Sequence, residues 1–230
     1  MKSISSSKDR LISFKNSKII LVAMAILAIG GPEVLWSQLP KETGGFIRVE
    51  AESFSYQELD SIRKWYLVGS NSAGPSSTEE DFISQSASAH QYIQIKPDTR
   101  QNHNEKLIKG ENFSNVPGKL AVVHYPVEFE NPGRYFVWVR AFSNGSEDNG
   151  LHVGINGEWP ETGQRMQWCE GKNQWTWGSK QRTASEHCGV ERQIYLDVLN
   201  PGRHTISFSM REDGFKFDAW VMTQEYKMPE

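Results

Sequence analysis

The chain has 230 residues, among them 19 Gly, 10 Pro and 8 Trp, and a formal net charge of −3 at pH 7. An acidic protein is a poor general binder of nucleic acid, because that affinity comes from neutralised phosphates. Its two cysteines are too few for the four ligands of a structural zinc site.

The first segment, residues 1–37, is predicted to be a secretory signal peptide. Five basic residues precede an uninterrupted apolar run at 19–29. The run is shorter than the roughly 20 residues that span a bilayer, so we expect no membrane span in the mature chain. Cleavage is expected after Gly30 or, preferably, after Ser37, and an uncleaved anchor is the alternative. The protein is therefore expected to be secreted, periplasmic or at the cell surface.

The remaining chain suits one domain, which we place at residues 46–225 between a linker at 38–45 and a tail at 226–230. Removing residues 1–37 takes away five basic and two acidic residues, so the mature chain is more acidic than the whole. Its basic residues matter for binding only where they cluster.

The predicted elements are short strands separated by turns. Two polar stretches, 71–88 and 98–117, are predicted as loops. On 134–142 the residues alternate, which predicts Tyr135 on one face and Trp138 on the other. Strands are predicted at 46–54, 64–70, 91–97, 120–129, 134–142, 151–159, 192–199, 203–210 and 215–223. Without an amphipathic helix in the pattern, this order favours an all-β sandwich or barrel.

The two cysteines, Cys169 and Cys188, are predicted to form one disulfide, since an even number in an exported protein favours pairing. Closing that loop stabilises a fold by roughly 3 kcal/mol in the chain-entropy description. Two free buried thiols are the alternative.

The stretch 165–182, RMQWCEGKNQWTWGSKQR, concentrates three tryptophans and four basic residues around one acid, Glu170. A sugar site needs a flat aromatic platform for the C–H face of the ring and planar polar groups for the hydroxyls. Trp177 is expected in the core. The four basic residues, Lys172 included, either contribute to a ligand site or form an ordinary solvated face. The candidate ligand residues in and near this stretch are Trp159, Arg165, Trp168, Trp175, Lys180 and Arg182.

Three motifs occur in order: VEAES (49–53), PGRYFVWVRAF (132–142) and PGRHTISFSMREDGFKFDAWVMT (201–223). Together they resemble the β-sandwich carbohydrate-binding modules of families 6 and 35, and the C-terminal sandwich domain of some glycoside hydrolases. The resemblance implies an antiparallel jelly roll whose loops at one end bind ligand. It implies contributions from the 143–150 loop with Asn144 and Asn149, from the loop before Trp65 and from the REDG turn. Asn144 and Asn149 are alternatively ordinary turn residues, and Trp65 or Tyr66 is alternatively core.

The resemblance also implies a structural calcium ion where the first and last strands meet. The matching residues are Glu50, Glu52 and Asp218. Calcium prefers oxygen ligands, carboxylates above all, and acids on apolar strands are costly to bury without a partner. Acids that simply face solvent are the alternative.

The function that these features predict is a non-catalytic module that binds a plant or algal polysaccharide, such as a sulfated or uronic-acid-bearing galactan, beside separate polysaccharide-degrading enzymes. One alternative is a small hydrolase or lyase, for which Glu147, Asp148 and Glu186, or His124 and Tyr125 with Arg165, are candidates without a demanding spacing. Another is an adhesive surface domain that binds a protein.

Overall fold

The computed structural model describes residues 39–69, 77–169 and 171–230. They belong to one unit, Gln38–Glu230. The predicted signal peptide at 1–37 and the acid Glu170 lie outside the described residues.

The described chain forms two antiparallel sheets that pack face to face, which confirms the predicted all-β sandwich. The front sheet has the strand order β10–β6–β12–β4–β3, with β1 also beside β12 and β9 also beside β6. The back sheet has the order β2–β5–β11–β7–β8. The strands are β1 Phe46–Glu50, β2 Tyr56–Gln57, β3 Lys64–Gly69, β4 Gln91–Lys96, β5 Val123–Phe129, β6 Gly133–Phe142, β7 Gly150–Ile155, β8 Met166–Gln167, β9 Trp175–Gly178, β10 Tyr195–Val198, β11 Gly202–Met210 and β12 Lys216–Thr223.

The core lies between the sheets and follows the two-residue period of the strands. On β6, Tyr135, Val137 and Val139 are fully buried there, as the alternation predicted. Aromatic rings from both sheets meet at its centre, where Tyr125 packs edge-to-face against Phe208 and Trp220 at 5.8 and 5.4 Å between centroids. The predicted strand 46–54 is shorter in the structure, because a single 3₁₀ turn, Ala51–Ser53, follows β1.

A helix, α1 (Thr78–Gln85), forms where the sequence predicted only loop. It begins with a capping box in which the Ser77 hydroxyl accepts from the Glu80 backbone N–H and the Glu80 carboxylate accepts from the Ser77 N–H. Ile83 then buries itself against Tyr92 and Phe142 on the outer face of the front sheet. The prediction was wrong because this helix depends on its cap and on tertiary contacts, not on an apolar stripe.

No helix in the described ranges is long and apolar enough to cross a membrane.

The predicted disulfide between Cys169 and Cys188 is confirmed. It joins two cysteines that are 19 apart in sequence. Cys188 lies in a hairpin at 181–190, in which Gln181 and Val190 pair as an antiparallel bridge and which we call the disulfide hairpin. The bond therefore fastens a hairpin to the end of β8.

Replacing both cysteines by serine is expected to lower the free energy of unfolding by about 3 kcal/mol, because the unfolded chain regains the entropy of the open loop. Urea unfolding monitored by tryptophan fluorescence measures the difference. Reducing agent should shift the wild-type midpoint and leave that of the double variant in place. Equal midpoints for the oxidised wild type and the variant would contradict a stabilising role.

Candidate ligand-binding site

The outer face of the front sheet carries an aromatic surface. The residues of β6 that point away from the core include Trp138 and Arg140. On the neighbouring strand β9, Trp177 pairs with Arg140 and Trp175 pairs with Phe142. Directly opposed residues in an antiparallel pair share a face, so both tryptophans lie on the outer face and are half-buried. The prediction that Trp177 belongs to the core was therefore wrong.

These rings line an open cleft of about 570 Å³. The Trp138 ring packs on the ring of Tyr226 at 5.0 Å between centroids, which brings the end of the chain over the sheet. The cleft is lined by Trp138, Trp175, Trp177, Tyr226, Gln167, Lys180 and the Cys169–Cys188 bridge. We call it the tryptophan cleft.

Trp175 and Trp177 have different surroundings within the cleft. The Trp175 ring packs against Tyr92 and Phe142 at 5.3 and 5.5 Å, and its Nε1 donates to the Ile83 carbonyl at 3.2 Å. Helix α1 therefore covers part of Trp175. The Trp177 ring instead lies under the guanidinium of Arg48, 5.6 Å from the ring centroid.

Two cations at the cleft belong to loose ion pairs. Lys180 lies 3.7 Å from Glu191, and Arg48 lies 3.6 Å from Glu50. All four side chains are substantially exposed, and such pairs contribute little to stability. An anionic ligand therefore competes for these cations at small cost.

Two tryptophans predicted as platforms lie in the core, which corrects those assignments. Trp65 is 2% exposed, packs against Phe215 and Phe217, and donates its Nε1 proton to the Ala121 carbonyl at 2.6 Å. Its neighbour Tyr66 is 49% exposed, as alternation requires. Trp168 is 4% exposed and packs edge-to-face on Phe215 at 5.1 Å. It forms the floor of the tryptophan cleft and offers no open ring face.

The remaining predicted tryptophan, Trp159, lies over the other sheet. Its half-buried ring rests against Gly154 of β7 and Gly118, where a Cβ atom on either glycine would approach the ring to 2.8 and 2.3 Å. Gly154 faces outward on the back sheet, since its neighbour Val153 is buried in the core. Trp159 therefore does not contribute to the tryptophan cleft.

The two predicted asparagines separate in the structure. Asn149 is 2% exposed, its side-chain oxygen accepts from Gln167, and its backbone N–H donates to Glu212 at 3.0 Å. It is a structural residue, which corrects its assignment to ligand binding. Asn144 is exposed, accepts from Lys216 Nζ at 2.5 Å and donates to Glu79 at 3.1 Å.

Asn144 belongs to a second, polar cleft of about 520 Å³, on the other side of α1. The 143–150 loop borders it, where the resemblance predicted a ligand site. Two buried acceptors in it, Gln94 Oε1 and Asp98 Oδ1, have no hydrogen-bond partner within the described chain. Burial, then the nearby Asp213, raises the pKa of Asp98 to about 6. This polar cleft suits hydroxyl donors, and its described lining holds no aromatic platform.

The predicted arginines lie next to each other beyond the tryptophan cleft, Arg182 on the disulfide hairpin and Arg165 just before β8. The Arg165 guanidinium pairs with Glu161 and donates from Nε to the Arg182 carbonyl at 3.2 Å. Arg182 Nη1 lies 3.3 Å from His187 Nε2. Lys172, in the turn before β9, is exposed to solvent.

The three carboxylates of the predicted calcium site converge around Ser88 and Gln91. Ser88 Oγ lies 2.5 Å from Glu50 Oε2 and 2.9 Å from Asp218 Oδ1. Gln91 Nε2 donates to Glu52 Oε1 at 3.0 Å, while Glu52 Oε2 is buried without a hydrogen-bond partner in the described residues. Burial raises the pKa of Glu52 to about 7, and the charges of Glu50 and Asp218 add to the shift.

These oxygens match the ligand chemistry that calcium prefers, and the orphaned Glu52 oxygen is a place for a cation to bind. The arrangement is otherwise a hydrogen-bonded acid cluster, because the Arg140 guanidinium pairs with Asp218. Across the described ranges, no group of three His, Cys, Asp or Glu side chains has a geometry that holds a metal. Calcium at these residues therefore stays a prediction.

Comparison with known proteins gives one curated relative and several similar folds. No family model matches the chain. A protein of Formosa agariphila named "Uncharacterized protein P23" is 54% identical over 193 residues, which cover 84% of this chain and 47% of the relative. The chain thus spans about half the length of that relative.

Solved structures found to be similar include two with family 35 modules. One is a native family 35 carbohydrate binding module from Clostridium thermocellum, with a TM-score of 0.39 at 14% identity, covering 77% of this chain and 96% of that one. Another is the Podospora anserina GH26-CBM35 β-(1,4)-mannanase, with a TM-score of 0.41 at 11% identity, covering 81% of this chain and 29% of that one. At these scores, neither similarity indicates a ligand or an activity for this chain.

The Glu52 carboxyl gives the calcium prediction a test. In EDTA, the raised folded-state pKa means that the folded protein binds this proton more tightly than the unfolded chain does. The stabilisation is complete below the usual glutamate pKa and is lost as the pH rises to about 7. We expect the Tm of the wild type to fall over this window relative to that of Glu52→Gln, by differential scanning fluorimetry.

Added calcium is expected to raise the Tm of the wild type at about pH 8, where Glu52 is ionised, and to leave that of Glu52→Gln in place. Magnesium at the same concentration serves as the control for ionic strength. An equal calcium response in both proteins would contradict a site at Glu52. Parallel pH profiles in EDTA would contradict the raised pKa.

Proposed function

We propose that this protein is a non-catalytic module that binds polysaccharide chains in the tryptophan cleft. The observation that carries the proposal is the position of Trp138, Trp177 and Tyr226 on the outer face of the front sheet. Rings needed only for folding lie between the sheets, as Trp65 and Trp220 do. The rings of Trp177 and Tyr226 are half-buried, and in an open cleft they leave apolar surface for a ligand.

The arrangement of the rings suits a chain of sugars. Trp138 of β6 and Trp177 of β9 are diagonal neighbours on adjacent strands. Such neighbours are separated by about 7–8 Å. Because Trp138 is 7% exposed and packs under Tyr226, the successive open surfaces along the sheet are the rings of Trp177 and Tyr226. Stacking on rigid indole rings costs little conformational entropy. Lys180 at the cleft supplies hydrogen bonds to hydroxyl groups.

The charges at the cleft favour an acidic polysaccharide. Arg48 lies over the Trp177 ring, and Lys180 lines the same cleft. Arg48 pairs with Glu50 at 3.6 Å and Lys180 pairs with Glu191 at 3.7 Å, both in partly exposed ion pairs. Within an acidic chain, they support a sulfated or uronic-acid-bearing galactan of plant or algal walls as the ligand class. The predicted signal peptide supports an exported module that holds separate degrading enzymes at this substrate.

The arrangement of polar groups gives an enzymatic role less support. His124 Nδ1 lies 2.9 Å from Ser207 Oγ, and His124 Nε2 lies 3.2 Å from Glu58 Oε1, an order of groups like that of a hydrolase triad. Ser207 is only 1% exposed, however, and lies within β11, whose N–H groups are used for pairing with β5 and β7. An oxyanion hole needs N–H groups that are free to donate to the substrate.

The other catalytic candidates are dispersed. Tyr125 points into the core, away from His124, and donates its hydroxyl proton to the Ala51 carbonyl at 2.6 Å. Burial raises the pKa of Tyr125 well above its usual value. Glu147 pairs with Arg100, while Asp148 accepts from Ser143 and the Asn144 backbone. These groups support the fold more readily than a reaction.

Affinity electrophoresis against agar, porphyran, carrageenan, alginate, xylan and pectin tests the proposal. We expect retardation by at least one sulfated or uronate polysaccharide. Trp177→Ala should weaken that binding about tenfold or more, because it removes an aromatic anchor from the centre of the contact. Its Tm should change little, since the ring is outside the core.

Tyr66→Ala is the matched control, because Tyr66 is an exposed ring on edge strand β3, away from the cleft. Binding that survives Trp177→Ala and is lost in Gln94→Ala would place the site in the polar cleft. The absence of any retardation, with cell binding that survives glycanase treatment, would favour the adhesive alternative and sink the proposal.

A further inference from the structure

A cluster of cationic side chains surrounds the disulfide hairpin beyond the tryptophan cleft. Arg165 and Arg182 are tied together through their backbones, since the Arg182 N–H donates to the Arg165 carbonyl at 2.9 Å and Arg165 Nε donates to the Arg182 carbonyl at 3.2 Å. His187, Arg211 and His103 lie close enough to affect one another electrostatically. The cluster combines segments from three parts of the chain.

Most members of this cluster have a carboxylate partner. Glu161 pairs with Arg165, Glu212 pairs with Arg211, and Glu147 pairs with His103. Arg182 differs from them, because its side chain contacts His187 Nε2 at 3.3 Å and none of the ion pairs of the described residues includes it. A guanidinium without a counter-ion, in a region of positive charge, is an attractive position for an anion.

The contact between Arg182 and His187 defines the protonation of the imidazole. Arg182 has only donors, so His187 Nε2 accepts and carries no proton in this arrangement. Burial, then the charges of Arg182, Arg211 and His103, lowers the pKa of His187. An anion bound between the two side chains favours protonation of His187, because the imidazole then gains a proton at Nε2 and becomes a second donor.

The position of Arg182 connects it with the tryptophan cleft. Gln181 is buried, and its Nε2 donates to the carbonyls of Glu161 and Gln164 at 2.5 and 3.0 Å. Its neighbours on this extended segment, Lys180 and Arg182, therefore both point away from it. Lys180 lines the cleft, as does Cys188 beside His187. The two cations thus follow one another along one side of the hairpin.

We propose that Arg182 and His187 form a subsite for an oxyanion substituent, a sulfate ester or a carboxylate, on the polysaccharide that the tryptophan cleft binds. The inference rests on the proposed function and adds the group that is recognised. The guanidinium fork of Arg182 donates to two oxygens of the anion, and protonated His187 donates to a third or shares one. The negative charge of the anion then lies between the positive charges of Arg182 and His187, which would otherwise repel each other.

Protonation and binding are therefore linked. His187 is faced by Arg182, Arg211 and His103, with Glu147 on His103, and the exposed Glu186 precedes it in the hairpin. A bound anion must raise the pKa of His187, and by reciprocity acidification must tighten anion binding. Affinity for the anion is expected to rise as the pH falls through the range in which histidine titrates.

An NMR titration of the histidine ring protons tests the subsite without any polysaccharide. Sodium sulfate replaces sodium chloride at constant ionic strength. The pKa of His187 is expected to rise with sulfate in the wild type and to stay constant in Arg182→Gln. His204 is the internal control, because it lies on β11 of the back sheet and bonds the Asn200 carbonyl at 2.8 Å. A His187 pKa that ignores sulfate in the wild type overturns the subsite.

The role of the subsite in polysaccharide recognition is tested by the binding of carrageenan and of the same preparation after chemical desulfation. Arg182→Gln is expected to weaken binding of the sulfated form about three- to tenfold and to leave the desulfated form unchanged. Alginate, whose charged groups are carboxylates, shows whether the subsite also binds a carboxylate. Wild-type affinity for the sulfated form is expected to be higher at about pH 5.5 than at about pH 8, and His187→Gln should remove this difference in affinity. Arg203→Gln, an exposed arginine on the back sheet, is the matched control.

The two proposals fail differently. Binding that depends on Trp177 but ignores Arg182 and pH overturns the subsite and leaves the proposed function standing. A sulfate-dependent pKa of His187 in a protein that binds none of the polysaccharides supports the anion subsite and overturns the proposed function.

Discussion

The arrangement of this protein depends on a strand that is buried on both of its faces. All eight residues of β12 are shielded from solvent, although only its inward side chains, such as Trp220, pack in the core between the sheets. Its outward residues include Asp218, whose carboxylate is fully buried. An unpaired charge there is costly, so Arg140 from β6 and the Ser88 backbone N–H, at 2.8 Å, both bond it. The outer face of the front sheet must be covered for this strand to fold as it does.

The cover over that face also creates the two clefts. Helix α1 lies above the sheet, with Ile83 packed on Tyr92 and Phe142, and the Ile83 carbonyl accepts from Trp175. The tryptophan cleft opens on the side of Trp175, and the polar cleft, which Ile83 also lines, opens on the other. The two clefts differ in their linings among the described residues, because aromatic rings line the tryptophan cleft, while Gln94, with its orphaned oxygen, lines the polar cleft. A short helix thus separates a stacking surface from a hydrogen-bonding one.

What the sequence predicted well was local, and what it missed depends on partners far along the chain. The faces of β6 follow from a two-residue period, and two cysteines allow a single pairing. The same period shows that Trp175 and Trp177 share a face, but which face depends on β9 pairing with β6. Trp65 was misplaced for the same reason, since burial follows from the position of β3 beside β4. A signal for α1 was present in Ser77 and Glu80, three residues apart, although the Ser-rich composition around it is typical of loops.

The disulfide hairpin explains how an acidic protein presents cations effectively. Exposed lysines and arginines lose rotamer entropy when they bind, which offsets much of the gain from each charge. Here the Cys169–Cys188 bridge fixes one side of the hairpin, and the buried Gln181 amide fixes the other through two carbonyls. The Arg165 side chain is further ordered by its bond to the Arg182 carbonyl, and the Arg182 backbone N–H bonds the Arg165 carbonyl. Much of the ordering is therefore complete before a ligand arrives. The proposed anion subsite therefore depends on the placement of the positive charges more than on their number.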